Sequence, residues 1–110
     1  MSLEDVRFDI KIVNKLEKIK VRYDEISKEL SSPDIVNDQN LFKSLSKELS
    51  SYDDSYNIYS QYNNLIKQYE DALEIKNGDD KELSELAIIE MDDIKTKLLS
   101  MANEVRQYLI

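Results

Sequence analysis

Residues 79–108 read DDKELSELAIIEMDDIKTKLLSMANEVRQY, with apolar positions at Ala87, Met91, Ile94, Leu98, Met101, Val105 and Tyr108, at steps of 4, 3, 4, 3, 4 and 3. Residues so spaced stay on one side of an α-helix. The spacing predicts a helix over residues 80–109. Working outward, the same alternation runs through Ile12, Leu16, Ile19, Tyr23, Ile26 and Leu30. Phe8 extends it by a turn, so a first helix is expected over residues 4–31. It stops before Pro33, which lacks an amide hydrogen and pushes the residue before it out of helical backbone angles.

Between these two lies a stripe of Phe42, Leu45, Leu49, Tyr52, Tyr56 and Tyr59. It continues, shifted by one residue, as Ile58, Tyr62, Leu65, Tyr69 and Ala72 or Leu73. Such drift is natural in a 3.6-residue helix that changes packing partner along its length. No glycine or proline falls between residues 38 and 76, so a single long helix is expected there, capped by Asn37 or Asp38. Asn77-Gly78-Asp79-Asp80 is the one strong turn signal. Asn77 or Gly78 is expected to end the long helix in the left-handed conformation, and Asp79 with Glu82 to form a capping box for the next. Short connections make neighbours antiparallel. The expected fold is all-α: an elongated antiparallel three-helix bundle or coiled-coil hairpin with a long central helix, in one domain spanning residues 1–110.

Composition agrees with that fold. Leu, Ile, Val and Phe make up 32 of 110 residues, enough to build a core despite 35% charged residues. With one glycine and one proline the chain can form few of the tight hairpins that a sheet protein needs. Cysteine, histidine and tryptophan are absent, which removes disulfides, thiolate nucleophiles, imidazole bases and the usual zinc ligands. No apolar run approaches the roughly 18 residues of a membrane span, and a cytoplasmic protein is expected.

The net charge is −8, from 23 acidic and 15 basic residues. This sign is wrong for binding DNA through counterion release and favours a basic protein surface as partner. Residues 1–33 are balanced, with seven acids and seven bases, whereas residues 79–110 hold eight acids and four bases.

Asp53-Asp54, Asp79-Asp80 and Asp92-Asp93 are adjacent pairs, pointing about 100° apart on a helix, whereas shared metal ligation or proton transfer needs i,i+3 or i,i+4 spacing. They read as solvated or capping residues. Neither a catalytic residue nor a metal or cofactor site is expected. Five of the seven tyrosines, Tyr52, Tyr56, Tyr59, Tyr62 and Tyr69, fall in the central stripe. They read as core rings whose hydroxyls reach the rim, with a protein-interface role as the alternative. In the link from Ser32 to Asp38, Ile35 and Val36 are expected to dock back on the bundle end.

Leu16-Glu17-Lys18, Arg22-Tyr23-Asp24-Glu25, Leu30-Ser31-Ser32-Pro33-Asp34, Asp38-Gln39 and Phe42-Lys43-Ser44-Leu45-Ser46-Lys47-Glu48 resemble the opening helix, link and second helix of a known helical domain. It is the N-terminal domain of bacterial class-I peptide chain release factors. The resemblance runs from Leu16 to Ile110. It is closer to the type that reads UAA and UAG than to the UGA-reading paralogue, through Pro33 and the Asp38-Gln39 start. It implies an accessory domain that helps position a translation termination factor on the ribosome, toward the stalk base of the large subunit.

In that family, hydrolysis belongs to a Gly-Gly-Gln loop and this codon reading to a Pro-x-Thr tripeptide. Here the one glycine, Gly78, precedes Asp79, and Pro33 precedes Asp34-Ile35. The resemblance therefore implies a non-enzymatic fragment of a longer factor. Asn77, Gly78, Asp79 and Asp80 would form its partner-facing tip, and Ser32, Pro33 and Asp34 a link toward the parent's other domains. The rival readings are a spectrin-like structural three-helix module, which usually carries a core tryptophan, and a small carboxylate enzyme, which would be stabilised by divalent ions.

Overall fold

A computed structural model describes residues 3–109, and the secondary structure among them is entirely helical. After a 3₁₀ turn at Leu3–Asp5 come α1 (Ile10–Glu29), α2 (Pro33–Val36), α3 (Gln39–Ser51), α4 (Asp53–Lys76) and α5 (Lys81–Val105). The all-α expectation holds. The chain divides into two compact units, one of Ile10–Tyr59 and one of the described residues up to Asp9 with those from Ser60 onward.

In the Ile10–Tyr59 unit, α1 packs on α3. Its seam buries Leu16 and Ile26 fully, while Ile12, Ile19, Tyr23 and Leu30 are half-buried. The helix begins at Ile10 rather than at residue 4. Tertiary packing overrides the apolar period there: Phe8 sits in the other unit, and its amide donates to the Tyr62 hydroxyl at 3.3 Å.

The long helix expected over residues 38–76 is broken at Tyr52 into α3 and α4. Tyr52 keeps right-handed angles (φ −100°, ψ −3°), but its amide donates to the Leu49 carbonyl in a tighter turn. The local cause is chemical. Ser51 Oγ donates to the Glu48 carbonyl at 2.5 Å, competing for the backbone ladder. Asp53 and Asp54 then occupy the first turn of α4, where the helix dipole favours negative charge.

In the second unit α4 and α5 run antiparallel. Ser84 Oγ donates to the Lys76 carbonyl at 2.6 Å beside the turn, and Gln61, Asn64 and Leu65 line a cleft with Thr96, Ser100 and Met101 far from it. The α5 seam is buried at Ala87, Met91, Ile94, Leu98, Met101 and Val105, as its spacing predicts, but Tyr108 is exposed beyond the helix end. The α4 residues Tyr62, Ile66, Tyr69 and Ala72 are also buried. The segment before Asp9 completes this core with Val6 and Phe8. The Phe8 ring stacks on Tyr62 with centroids 4.2 Å apart.

Candidate functional site

The tip residues Asn77, Gly78, Asp79 and Asp80 are all exposed. The α4 end is not left-handed, since no described residue has a positive φ. Instead the amides of Asn77 and Gly78 donate to the carbonyls of Leu73 and Ile75, each at 3.1 Å, and the helix tightens into its turn. Glycine fits closely at 78: a Cβ there would stand 3.2 Å from the Ile75 carbonyl oxygen, a contact that a shift of a few tenths of an ångström relieves. The α5 cap also falls one residue later than expected. Asp80, in extended conformation, accepts from the Leu83 amide at 3.0 Å, so Asp80 is the N-cap in place of Asp79. Asp80→Ala is expected to lower stability by about 1 kcal/mol, read by urea denaturation, with Asp79→Ala close to neutral.

The link residues Ser32, Pro33 and Asp34 belong to the other unit. They form a helical turn where a plain link was expected. Pro33 opens α2 at a first-turn position where its missing amide costs nothing, and Ser32 precedes it in extended conformation (φ −75°, ψ 134°). The Ser32 carbonyl accepts from the Ile35 and Val36 amides at 3.1 and 3.0 Å. Ile35 is half-buried as a docking residue should be, whereas Val36 is exposed. Asp38 caps α3 as foreseen, accepting from the Leu41 amide at 3.1 Å.

A set of polar residues converges in the Ile10–Tyr59 unit. Arg22 on α1 makes a two-pronged contact with Glu48 on α3, at 2.8 and 3.0 Å, and the Tyr52 hydroxyl donates to the same carboxylate at 3.2 Å. Tyr56 donates to Asp24 at 3.2 Å and stacks on Tyr23 with centroids 4.0 Å apart; Tyr59 donates to Glu17 at 2.6 Å. The rings of Tyr59, Tyr62 and Tyr69 are buried, and those of Tyr52 and Tyr56 half-buried. Hydrogen bonding from Arg22 holds the Glu48 carboxyl below the ordinary carboxylate range, with Tyr52 assisting against partial desolvation. A lowered folded value stabilises above the unfolded value, and that contribution is lost as pH falls through the folded one. Glu48→Gln is therefore expected to be less stable than the parent at pH 7, with the gap closing as pH falls below the ordinary value of 4.5. Paired melts across an acid series check this.

Five of these residues, Glu17, Arg22, Tyr23, Asp24 and Glu48, stand in the stretches that carry the family resemblance. Their work is to join helices. Sequence reading missed the Arg22–Glu48 pair, since its members are 26 residues apart and no local pattern links them.

Among the described residues no group of three or more carboxylates could hold a metal ion, and no helix is long and apolar enough to cross a membrane. The result is an all-α module in which polar side chains knit helices together and a capped turn and a proline-led turn stand exposed. The chain belongs to the PCRF domain family, which it matches over residues 19–110. It is similar to peptide chain release factor 1 of Hydrogenobaculum sp. (strain Y04AAS1), 34% identical over 93 residues that cover 84% of this chain and 26% of that one. It is likewise similar to peptide chain release factor 1 of Syntrophomonas wolfei subsp. wolfei, 30% identical over 100 residues that cover 90% and 28% of the two. The chain thus spans about a quarter of the length of these relatives. No solved structure matches it.

Proposed function

We propose that this chain is the helical accessory domain of a longer peptide chain release factor 1, and that it helps position the factor on the ribosome in response to UAA and UAG codons. The observation that carries the reading is the family match over residues 19–110, together with relatives named peptide chain release factor 1 that align with nearly all of this chain. Codon reading and ester hydrolysis belong to other parts of the factor, and the domain itself does neither. It works in the cytoplasm, with no cofactor, no DNA and no membrane partner.

The exposed turn Asn77, Gly78, Asp79 and Asp80 reaches toward the stalk base of the large subunit, and Ser32, Pro33 and Asp34 face the remaining domains. Exposure of all four turn residues, and a cap that holds the turn in one conformation, suit a contact surface.

A chimera tests the reading. Replacing the matching quarter of the Hydrogenobaculum release factor 1 with this chain is expected to preserve peptide release at UAA in a purified ribosome reaction. Deleting that quarter should slow release, and this chain alone should release nothing. A chimera no better than the deletion, or release by the chain unaided, overturns the proposal. Crosslinks from a Gly78→Cys chimera to the decoding domain, and none to the large subunit, would reverse the assignment of tip and link.

A further inference from the structure

Helix α5 carries a second seam that the fold leaves uncovered. Its packed side is Ala87, Met91, Ile94, Leu98, Met101 and Val105. Away from that side Glu82, Leu86, Ile89 and Asp93 follow one another at steps of 4, 3 and 4, which aligns them on a single face. All four are exposed, and Leu86 and Ile89 show 62% and 60% of their surface. Leu83, half exposed, stands one turn before Leu86. A lone exposed leucine is ordinary. Three large apolar residues at steps of three, exposed on successive turns, form a strip on which the apolar face of an amphipathic helix can lie.

Charge selects what covers this strip. Leu86 has Glu82 four residues before it and Glu90 four after; Ile89 has Glu85 and Asp93 in the same relation. From Asp79 to Asp93 there are seven carboxylates and one lysine. Among the described residues none of the seven takes part in an ion pair. The unit that holds α5 has 14 acidic and 7 basic residues, against 9 and 8 in the other. A second copy of the chain would set like charges against each other around the strip, and a nucleic acid would do the same.

We infer that Leu83, Leu86 and Ile89 dock a basic amphipathic helix of a protein partner. Its apolar face lies on the strip, and its lysines or arginines lie over Glu82, Glu85, Glu90 and Asp93. The inference goes beyond the release-factor reading and does not depend on it, since it concerns only the chemistry of this face.

The probe is a synthetic helix of about 18 residues, five turns, built from leucine at i, i+3, i+4 and i+7 spacing with lysine elsewhere. It is compared with a scrambled peptide of the same composition, each titrated against the whole chain. The patterned peptide is expected to bind about tenfold tighter than the scrambled one, with amide shifts centred on residues 82–93. The double variant Leu86→Glu, Ile89→Glu, both at exposed positions, should abolish that preference while its circular dichroism stays that of the parent. Equal binding of the two peptides, or shifts centred elsewhere, overturns the inference. So does sedimentation showing a dimer that the double variant dissociates, because the occupant is then a second copy.

Discussion

Phe8→Ala is expected to lower the stability of the unit containing α4 and α5 by about 3–5 kcal/mol, a large share of the 5–15 kcal/mol typical of a domain. Phe8 is 7% exposed, stacks on Tyr62 and lies outside any helix. Truncation would remove the stacked ring and open a void over the middle of α4. Had Phe8 lengthened α1 by one more turn, as its spacing suggests, the same truncation would instead loosen the Ile10–Tyr59 unit. Urea denaturation with Phe8→Leu as the volume-retaining control measures the loss, and hydrogen exchange separates the two cases: it should show lost protection around Tyr62 and Ile66.

The second large effect has the opposite sign. Tyr69 is completely buried, and its hydroxyl finds no hydrogen-bond partner among the described residues. An unsatisfied buried hydroxyl costs about 1–3 kcal/mol, so Tyr69→Phe, which keeps the ring, should stabilise by that order and raise Tm by several degrees. A loss of stability would show that the hydroxyl is hydrogen-bonded in solution. Burial, with the charges of Asp5 and Asp92, pushes the Tyr69 phenol above its ordinary value of 10.0, and burial does the same to Tyr62. A raised folded value stabilises fully below the unfolded value, and that contribution is lost as pH rises through the folded one. The parent should therefore weaken above pH 10, and Tyr69→Phe should weaken less steeply.

These two residues mark the reach of a reading from spacing. Period alone located every buried position of α5 from Ala87 to Val105, because that helix packs one continuous side. It misassigned Phe8, since a ring that stacks on a distant tyrosine keeps the same distance in sequence from Ile12 as one that lengthens a helix. The interruption at Tyr52 was legible and unread: Ser50-Ser51 followed by Asp53-Asp54 pairs a ladder competitor with a helix-start signal, even without glycine or proline. Asp79 and Asp80 differ by a single step as caps, and only backbone angles decide between them. At the exposed turns the residues were identifiable while their conformations were not. The Arg22–Glu48 contact and the bare strip at Leu86 and Ile89 depend on which helices meet, which no local pattern records.

The tyrosine hydroxyls that donate to Glu17, Asp24 and Glu48 have an optical consequence. In a chain without tryptophan the phenol rings are the dominant near-ultraviolet emitters, and a phenol bound to a carboxylate is dim. The pairs of Tyr52, Tyr56 and Tyr59 lie in the Ile10–Tyr59 unit, whereas in the other unit Tyr108 donates to Glu104 at 3.3 Å, Tyr62 accepts a backbone amide and Tyr69 has no carboxylate bonded to it. Brightening on denaturation would thus report chiefly on one half of the molecule. Compared with the amide band of circular dichroism, which counts helix everywhere, it offers a label-free way to learn whether the halves melt together or in turn.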